Sequence, residues 1–420
     1  MRVLLVNTSE HTGGAAIAAH RLMEALNNNG QQAEMLVRDK LTDNPRVHAL
    51  PPSPLNRLRF VAERAEIFAA NHFHRHRLFE VDHAHFGTDI TRLKVFQEAD
   101  VVHLHWVNQG MLSLSDIERI LRSGKRVVWT LHDMWPCTGI CHQAGACERW
   151  LTGCGDCPML YDGGSPNDLS ARTYRRKQEV FATGNIRFVA CSDWLADIAR
   201  RAPLLQGHTV ESITNPIDTS FYTPGDKRAA RRELGLPEDR RLLLFVAYKA
   251  TDRNKGIHFL RDAVQSVCRH YPSMRGQLGV VPVGREAELL TDAFACPAYP
   301  QNYVSDEVRM RLLYRAADLL VMPTLADNLP NTVAEAMACG VPCVAFRVGG
   351  LPQMIDHEKN GYLARYKDVD DLEAGILSTL FSHRYAELSQ AARQKAERSY
   401  SERVVAERFL KLYEGWEEAE

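Results

Sequence analysis

Short apolar runs recur along the whole chain, each parted from the next by a helical stretch, and this alternation limits the fold more than any other feature. Val3–Val6, Val101–Leu104, Val127–Leu131 and Phe188–Cys191 stand in the first half, and Leu242–Ala247, Leu278–Val283, Leu319–Met322 and Pro342–Phe346 in the second. Runs this short and largely apolar read as strands buried on both faces. Alternating with helices, they predict an α/β fold with parallel sheets, because each crossover helix covers a sheet face. The pattern runs through about 215 residues and restarts after Asn215-Pro216-Ile217-Asp218 and Pro224-Gly225-Asp226, a turn-rich stretch suited to a linker. Two doubly wound, Rossmann-like domains facing across a cleft are expected, over 1–216 and 217–402, with ligands at the carboxyl ends of the strands.

At 420 residues the chain has room for two cores, and its 45% hydrophobic and 25% charged residues are those of a globular protein. A net charge of −1 supplies no field for nucleic acid, so no nucleic-acid partner is expected. No apolar run is long enough to span a membrane. Met1–Asn7 reads as a buried strand before a polar loop, too short in apolar length for a signal peptide. A cytoplasmic protein is expected, whose ten cysteines are thiols or metal ligands rather than disulfides.

Asp327-Asn328-Leu329-Pro330-Asn331-Thr332-Val333-Ala334-Glu335 carries two carboxylates eight residues apart around a Pro-opened helix that Gly340 terminates. Pro330 fits the first turn of that helix. Free amides at a helix start suit a phosphate, and a carboxylate suits sugar hydroxyls because it accepts two hydrogen bonds at once. Together they describe a pocket for a nucleotide sugar. Upstream, the loop after Leu242–Ala247 carries Lys249, Arg253 and Lys255 before Gly256, cations suited to neutralising a diphosphate leaving group without a catalytic metal. Gly13-Gly14, between the first strand and its helix, permits close backbone approach to a ligand. His132-Asp133 follows a strand at its carboxyl edge, and Asp133 is placed to fix the His132 tautomer. His103 and His105 flank Leu104 and so share a face.

Five of the ten cysteines fall between Cys137 and Cys157, the last four spaced C-x5-C-x6-C-x2-C. Cys154-Gly155-Asp156-Cys157 has the form of a zinc knuckle, so Cys141, Cys147, Cys154 and Cys157 are candidate ligands of a structural zinc, with His142 as a substitute ligand. Reduced thiols packing a loop, or disulfides, are the alternatives. Asn56–Leu78 is amphipathic, with Leu58, Phe60, Val61, Ile67, Phe68 and Phe73 against Arg57, Arg59, Arg64, Arg75 and Arg77. Such a stretch suits either a solvated helix face or peripheral contact with the inner face of an anionic membrane.

The text LADNLPNTVAEAMACGVPCVAF resembles the motif of retaining glycosyltransferases of the GT-B fold, family 4, with Asp327 where that family usually has Glu. The resemblance implies that Glu335 holds the ribose hydroxyls of a nucleotide and that Asp327 faces the donor sugar with the amides of Asn328 and Leu329. It also implies that an Arg and Lys255-Gly256 bind the diphosphate, with Lys255 first, Arg253 second and Lys249 third. Val280–Gly284 resembles the strand and Gly loop before the base site, and Tyr303-Val304 lies where the family grips the base. His132 matches a histidine that reaches the donor sugar. The final helix, about 403–420, is implied to return to the first domain. The segment HDMWPCTGICHQAGACERWLTGCGDCP looks like inserts in the colanic-acid and exopolysaccharide branch of the family. A retaining transferase of hexosyltransferase type is implied, moving a sugar from a UDP, GDP or ADP sugar to a saccharide or lipid-linked saccharide, in surface polysaccharide assembly. Two other readings stay open: a GT-B-like sugar-nucleotide epimerase or hydrolase, and a zinc-bearing binding module with vestigial enzyme domains.

Overall fold

The computed structural model describes residues 1–416. The chain divides into two compact units, Met1–Asn215 with the chain from Val405 onward, and Pro216–Val404. In the first unit the strands are β1 (Arg2–Ser9), β2 (Gln32–Asp39), β3 (Val47–Ala49), β4 (Val101–Leu104), β5 (Arg126–Leu131), β6 (Ile186–Ala190) and β7 (Thr209–Ser212). They form one sheet in the order β3-β2-β1-β4-β5-β6-β7, parallel throughout. Residues of β1 alternate between two cores, as the two-residue period of a strand requires. Leu4 and Val6 join Val102, Leu104, Trp129 and Leu131 on one face. Val3 and Leu5 join Val101, Val128 and Val189 on the other.

The helix Glu402–Glu414 contributes Val405, Ala406, Phe409, Leu412 and Tyr413 to that second face. Arg187 fixes its end, donating to the carbonyl of Leu412 at 2.8 Å and lying 4.6 Å from the Trp416 ring. The last four residues of the helix expected over about 403–420 lie outside the described residues.

The second unit holds β8 (Arg241–Lys249), β9 (Leu278–Arg285), β10 (Leu319–Met322), β11 (Cys343–Phe346) and β12 (Gly361–Ala364) in the parallel order β12-β11-β10-β8-β9. Its helices Ile257–His270 and Val369–Leu380 pack Leu260, Val264, Leu372 and Ile376 against Leu243, Val280, Val321 and Val344.

The amphipathic stretch is a helix over Pro54–Ala70 whose apolar residues divide between the core and the surface. Glu63, Arg64 and Ile67 point inward, while Leu55, Leu58 and Val61 are 49%, 58% and 50% exposed. Arg64 turns in because its guanidinium finds the Asp82 carboxylate and the carbonyls of Leu78 and Val81, partners that make a buried cation tolerable. Among the described residues, no helix is long and apolar enough to cross a membrane.

Candidate functional site

In the second unit the site gathers at the carboxyl ends of β8 and β10. The helix after β10 spans Asn331–Ala338, with Pro330 as its N-cap at φ −67°, ψ 120°. Pro330 therefore sits one residue outside the helix rather than in its first turn. The helix ends where expected, Gly340 following in the left-handed region at φ +74°. Glu335 is 7% exposed, and the Tyr314 hydroxyl donates to its Oε2 at 2.5 Å. Burial, and then the neighbouring Glu335 carboxylate, raise the Tyr314 pKa far above its ordinary value, so this phenol stays a donor. Tyr314 is a site residue that nothing in the sequence pattern marks.

Lys255 closes a 3-10 turn, Arg253–Lys255, and Gly256 takes φ +80° before the helix Ile257–His270 begins. A Cβ on Gly256 would stand 1.8 Å from the carbonyl oxygen of Pro323, so only glycine lets this turn lie against the end of β10. The contact is latched by the Leu325 amide donating to Asn254 O at 2.9 Å and by Thr324 Oγ1 at 3.2 Å from the same oxygen. The latch brings Lys255 Nζ to 2.7 Å from Asp327 Oδ2. Asn328 is half-buried and Leu329 buried beside it.

The remaining expected donor-side residues are less closely gathered. Arg253 is exposed at the turn. Lys249 is exposed and paired with Glu286 at 2.9 Å, a partner within its own rim of the sheet. Gly284 lies against β8, where a Cβ would meet Ala247 O at 2.1 Å. Tyr303, 45% exposed, packs edge-on to Tyr248 at 5.3 Å, and the Arg285 guanidinium lies 4.7 Å from the Tyr248 ring; Val304 is half-buried beside them. Tyr248 and Arg285 were not expected at this rim.

In the first unit, Gly13 is the N-cap of the helix Gly14–Asn28 at φ +92°. A Cβ there would meet nothing within 4 Å, so the left-handed backbone and not crowding calls for glycine. His132 follows β5 and is half-buried, its Nε2 3.0 Å from His105 Nδ1 and its Nδ1 3.5 Å from Cys191 Sγ. Burial pushes the His132 pKa down to about 4 against the opposing pull of Asp133, so the ring is neutral at ordinary pH. Burial, and then His103 and His132, hold His105 well below its ordinary value. His103 belongs to the core: its ring nitrogens meet Tyr413 Oη and Thr130 Oγ1, both at 2.7 Å. His105, Asn108, Thr130, His132 and Asp133 line a hollow of about 200 Å³. The buried atoms His105 Nε2 and Asn108 Nδ2 have no hydrogen-bond partner among the described residues.

Asp133 does not fix the His132 tautomer by direct contact. Its Oδ2 accepts from His142 Nδ1 at 2.7 Å and Trp106 Nε1 at 3.0 Å, and its Oδ1 from the Trp135 amide at 2.8 Å. His142 Nε2 reaches Asp82 Oδ2 at 2.8 Å. Burial works against charge on His142, but Asp133 and Asp82 outweigh it and raise its pKa to about 10. With both ring nitrogens engaged by carboxylates, His142 is an imidazolium bridge and not a substitute zinc ligand. Asp82 lies 60 residues from His142, a partner that no local spacing signals.

A family model described as Glycosyltransferase Family 4 matches residues 12–221, and one described as Glycosyl transferases group 1 matches residues 240–381. Among curated proteins, the chain is 27% identical over 337 residues to D-inositol 3-phosphate glycosyltransferase 2 of Catenulispora acidiphila, covering 74% of this chain and 71% of that one. It is 27% identical over 356 residues to D-inositol 3-phosphate glycosyltransferase of Saccharomonospora viridis, covering 78% and 73%. Among solved structures it is similar to sucrose-phosphate synthase from Thermosynechococcus elongatus, with a TM-score of 0.70 at 18% identity and 100% of both chains covered. It is also similar to Anabaena Alr3699/HepE in complex with UDP-glucose, with a TM-score of 0.62 at 15% identity over 99% of this chain and 100% of that one. These likenesses give the fold as GT-B, each domain a Rossmann-like parallel sheet.

Proposed function

The chain belongs to the glycosyltransferases of family 4, group 1, and from that premise we propose that it is a retaining enzyme moving a hexosyl group from a nucleotide sugar to a saccharide or lipid-linked saccharide in surface polysaccharide assembly. The observation that carries this reading is the Lys255–Asp327 ion pair at 2.7 Å, set before the helix that bears Glu335. In it, Lys255 and Arg253 neutralise the donor diphosphate, Asp327 and the amides of Asn328 and Leu329 meet the donor sugar, and Glu335, oriented by Tyr314, accepts from the ribose hydroxyls. Lys249 and Gly13-Gly14 assist at the phosphates, while Gly284 and Tyr303-Val304 border the base. Neutral His132 hydrogen-bonds a sugar hydroxyl and supports the developing charge.

Both second-unit carboxylates are engaged, Asp327 by Lys255 and Glu335 by Tyr314. That supports electrostatic and positional catalysis over a protein nucleophile. The bond from the anomeric carbon to the diphosphate oxygen breaks, the acceptor oxygen bonds to the same face, and the acceptor proton passes to the departing diphosphate. Relatives named for D-inositol 3-phosphate transfer, and a neighbour solved with UDP-glucose, support a nucleotide-sugar donor. Thermal unfolding with UDP, GDP and ADP sugars tests the donor: one nucleotide class is expected to stabilise the protein, and stabilisation by none would overturn the reading. NMR of the product then reads the anomeric configuration, and inversion would overturn retention.

Leu55, Leu58 and Val61 are exposed on the helix beside the exposed Arg57, and Phe73 and Phe79, at 72% and 64% exposure, follow in the chain with the exposed Arg75 and Arg77. We assign this stretch to peripheral contact with an anionic membrane, where apolar insertion and cation attraction add. The protein is expected to float with phosphatidylglycerol vesicles and not with phosphatidylcholine alone. Equal flotation with both, or salt-insensitive binding, would remove this assignment.

A further inference from the structure

The cysteine insert of the first unit gathers four thiols around one hollow. All ten cysteines are free thiols. Four of them, Cys141, Cys147, Cys154 and Cys157, line one hollow of about 320 Å³. Cys141 and Cys157 are buried and Cys147 and Cys154 half-buried, so the sulfurs are largely withdrawn from solvent.

The backbone around the second pair is unusual. Cys154, Gly155 and Asp156 take φ +59°, +99° and +43° in succession. A left-handed conformation is unfavourable for a non-glycine residue, so two such residues flanking one glycine need a reason to persist. The turn is held by the Cys154 amide donating to Arg149 O at 2.9 Å and the Asp156 amide to Ser165 O at 2.8 Å. Amide donors also face the sulfurs. Gly139 N–H donates to Cys154 Sγ at 3.3 Å, and the Met159 amide faces the Cys157 sulfur. Hydrogen bonds to sulfur are weak for a thiol and strong for a thiolate.

Lys177 supplies an independent observation. Its side chain is 0% exposed, and its ammonium donates to Trp135 O at 2.6 Å and Thr138 O at 2.9 Å and lies 3.4 Å from the Trp135 ring centre. None of these partners carries a formal charge. Burial pushes the Lys177 pKa down to about 7, against the pull of Cys154, Cys141, Cys137 and Asp133. A charged ammonium in such surroundings calls for a counter-anion, which neutral thiols do not provide and thiolates would. Four thiolates around a divalent ion carry a net charge of −2, half of which this ammonium would offset.

We propose that Cys141, Cys147, Cys154 and Cys157 bind one structural zinc ion as a tetrathiolate, with Lys177 as its buried counter-cation. Binding displaces four thiol protons to solvent, and four protein ligands leave no open position for catalysis. Among the described residues, the groups that bring three candidate ligand atoms within 4.8 Å contain no cysteine. The four sulfurs therefore draw together on ligation, to the ~3.8 Å separation that Zn–S bonds of about 2.3 Å impose. The ion fixes the insert that also carries His142, and through it the loop after β5.

Elemental analysis of the full chain, purified without added metal, tests this. About one zinc per chain is expected, lost in the double variant Cys154→Ser, Cys157→Ser and kept in Cys268→Ser, whose thiol is buried in the other unit. Should the double variant fail to fold, cobalt substitution of the unaltered protein keeps the test open: strong thiolate-to-cobalt absorption and a tetrahedral visible band are expected. Zinc far below one per chain, with the four sulfurs reactive as thiols or joined as disulfides, would overturn the proposal, as would a cobalt spectrum without thiolate bands.

Discussion

Replacing Lys255 by Ala is expected to lower glycosyl transfer by about 100-fold or more while the protein still folds, the loss typical of removing one preorganised charge from a developing anion. The turn that carries Lys255 is fixed by Gly256 against Pro323 and by the Asn254 carbonyl, contacts of the backbone that survive truncation of the side chain. The side chain is 34% exposed, so its pair with Asp327 adds little to stability. Its value lies in the unpaired capacity of the ammonium, three donors of which Asp327 takes one. Lys255→Arg should recover only part of the rate, because a planar fork does not replace a point charge at a site shaped for one. Glu335→Ala should also abolish transfer, and it should weaken nucleotide binding directly, since the carboxylate sits on a helix face and Tyr314 would lose its acceptor. Steady-state rates on purified, folded variants decide the matter. Near-normal turnover in both alanine variants would remove the second-unit site as assigned.

The parts of this molecule legible in the sequence are those whose cause is local. β1, β4, β5, β8 and β10 announce themselves because each holds a mostly apolar run buried on both faces. β2 does not, because Gln32, Glu34, Arg38 and Asp39 dilute its run while its inner residues are still buried. β12 is four residues long and begins with glycine. Gly340 as a helix stop was legible, since a left-handed C-terminal residue is a local demand. Pro330 was displaced by one residue, because a φ of −67° serves an N-cap as well as a first turn and only ψ separates the two. Side-chain partners were the least legible. Tyr314 meets Glu335 from 21 residues away, and Arg64 turns inward for Asp82, 18 residues on. Hydrophobic periodicity assigns a helix face by its apolar residues, and the helix Pro54–Ala70 departs from that rule: it buries Glu63 and Arg64 beside Ile67, with Arg64 paired to Asp82, and leaves Leu58 and Val61 exposed.

The same long-range pairing sets the second large effect. His142→Ala is expected to destabilise the first unit by about 3–5 kcal/mol, the range for removing one partner of a buried ion pair. His142 stands between Asp82 Oδ2 and Asp133 Oδ2 at 2.8 and 2.7 Å, and the two carboxylates have fully buried and 18% exposed side chains. Arg64 remains for Asp82. Asp133 would keep only neutral donors, the Trp106 indole and the Trp135 amide, so the uncompensated charge falls on the loop directly after His132. A loss of that size in a unit of this length lowers the midpoint of thermal unfolding by on the order of 10 °C. His142→Gln should fall between, because one amide can donate to only one carboxylate at a time. Asp133→Asn combined with His142→Gln should cost less than the sum of the two singles, since each single leaves a charge that the double removes. Unfolding curves for the four proteins measure this cycle. Strict additivity, or a midpoint shift under about 2 °C for His142→Ala, less than even 1 kcal/mol produces at this size, would mean that the bridge is not what ties the cysteine insert to the His132 loop.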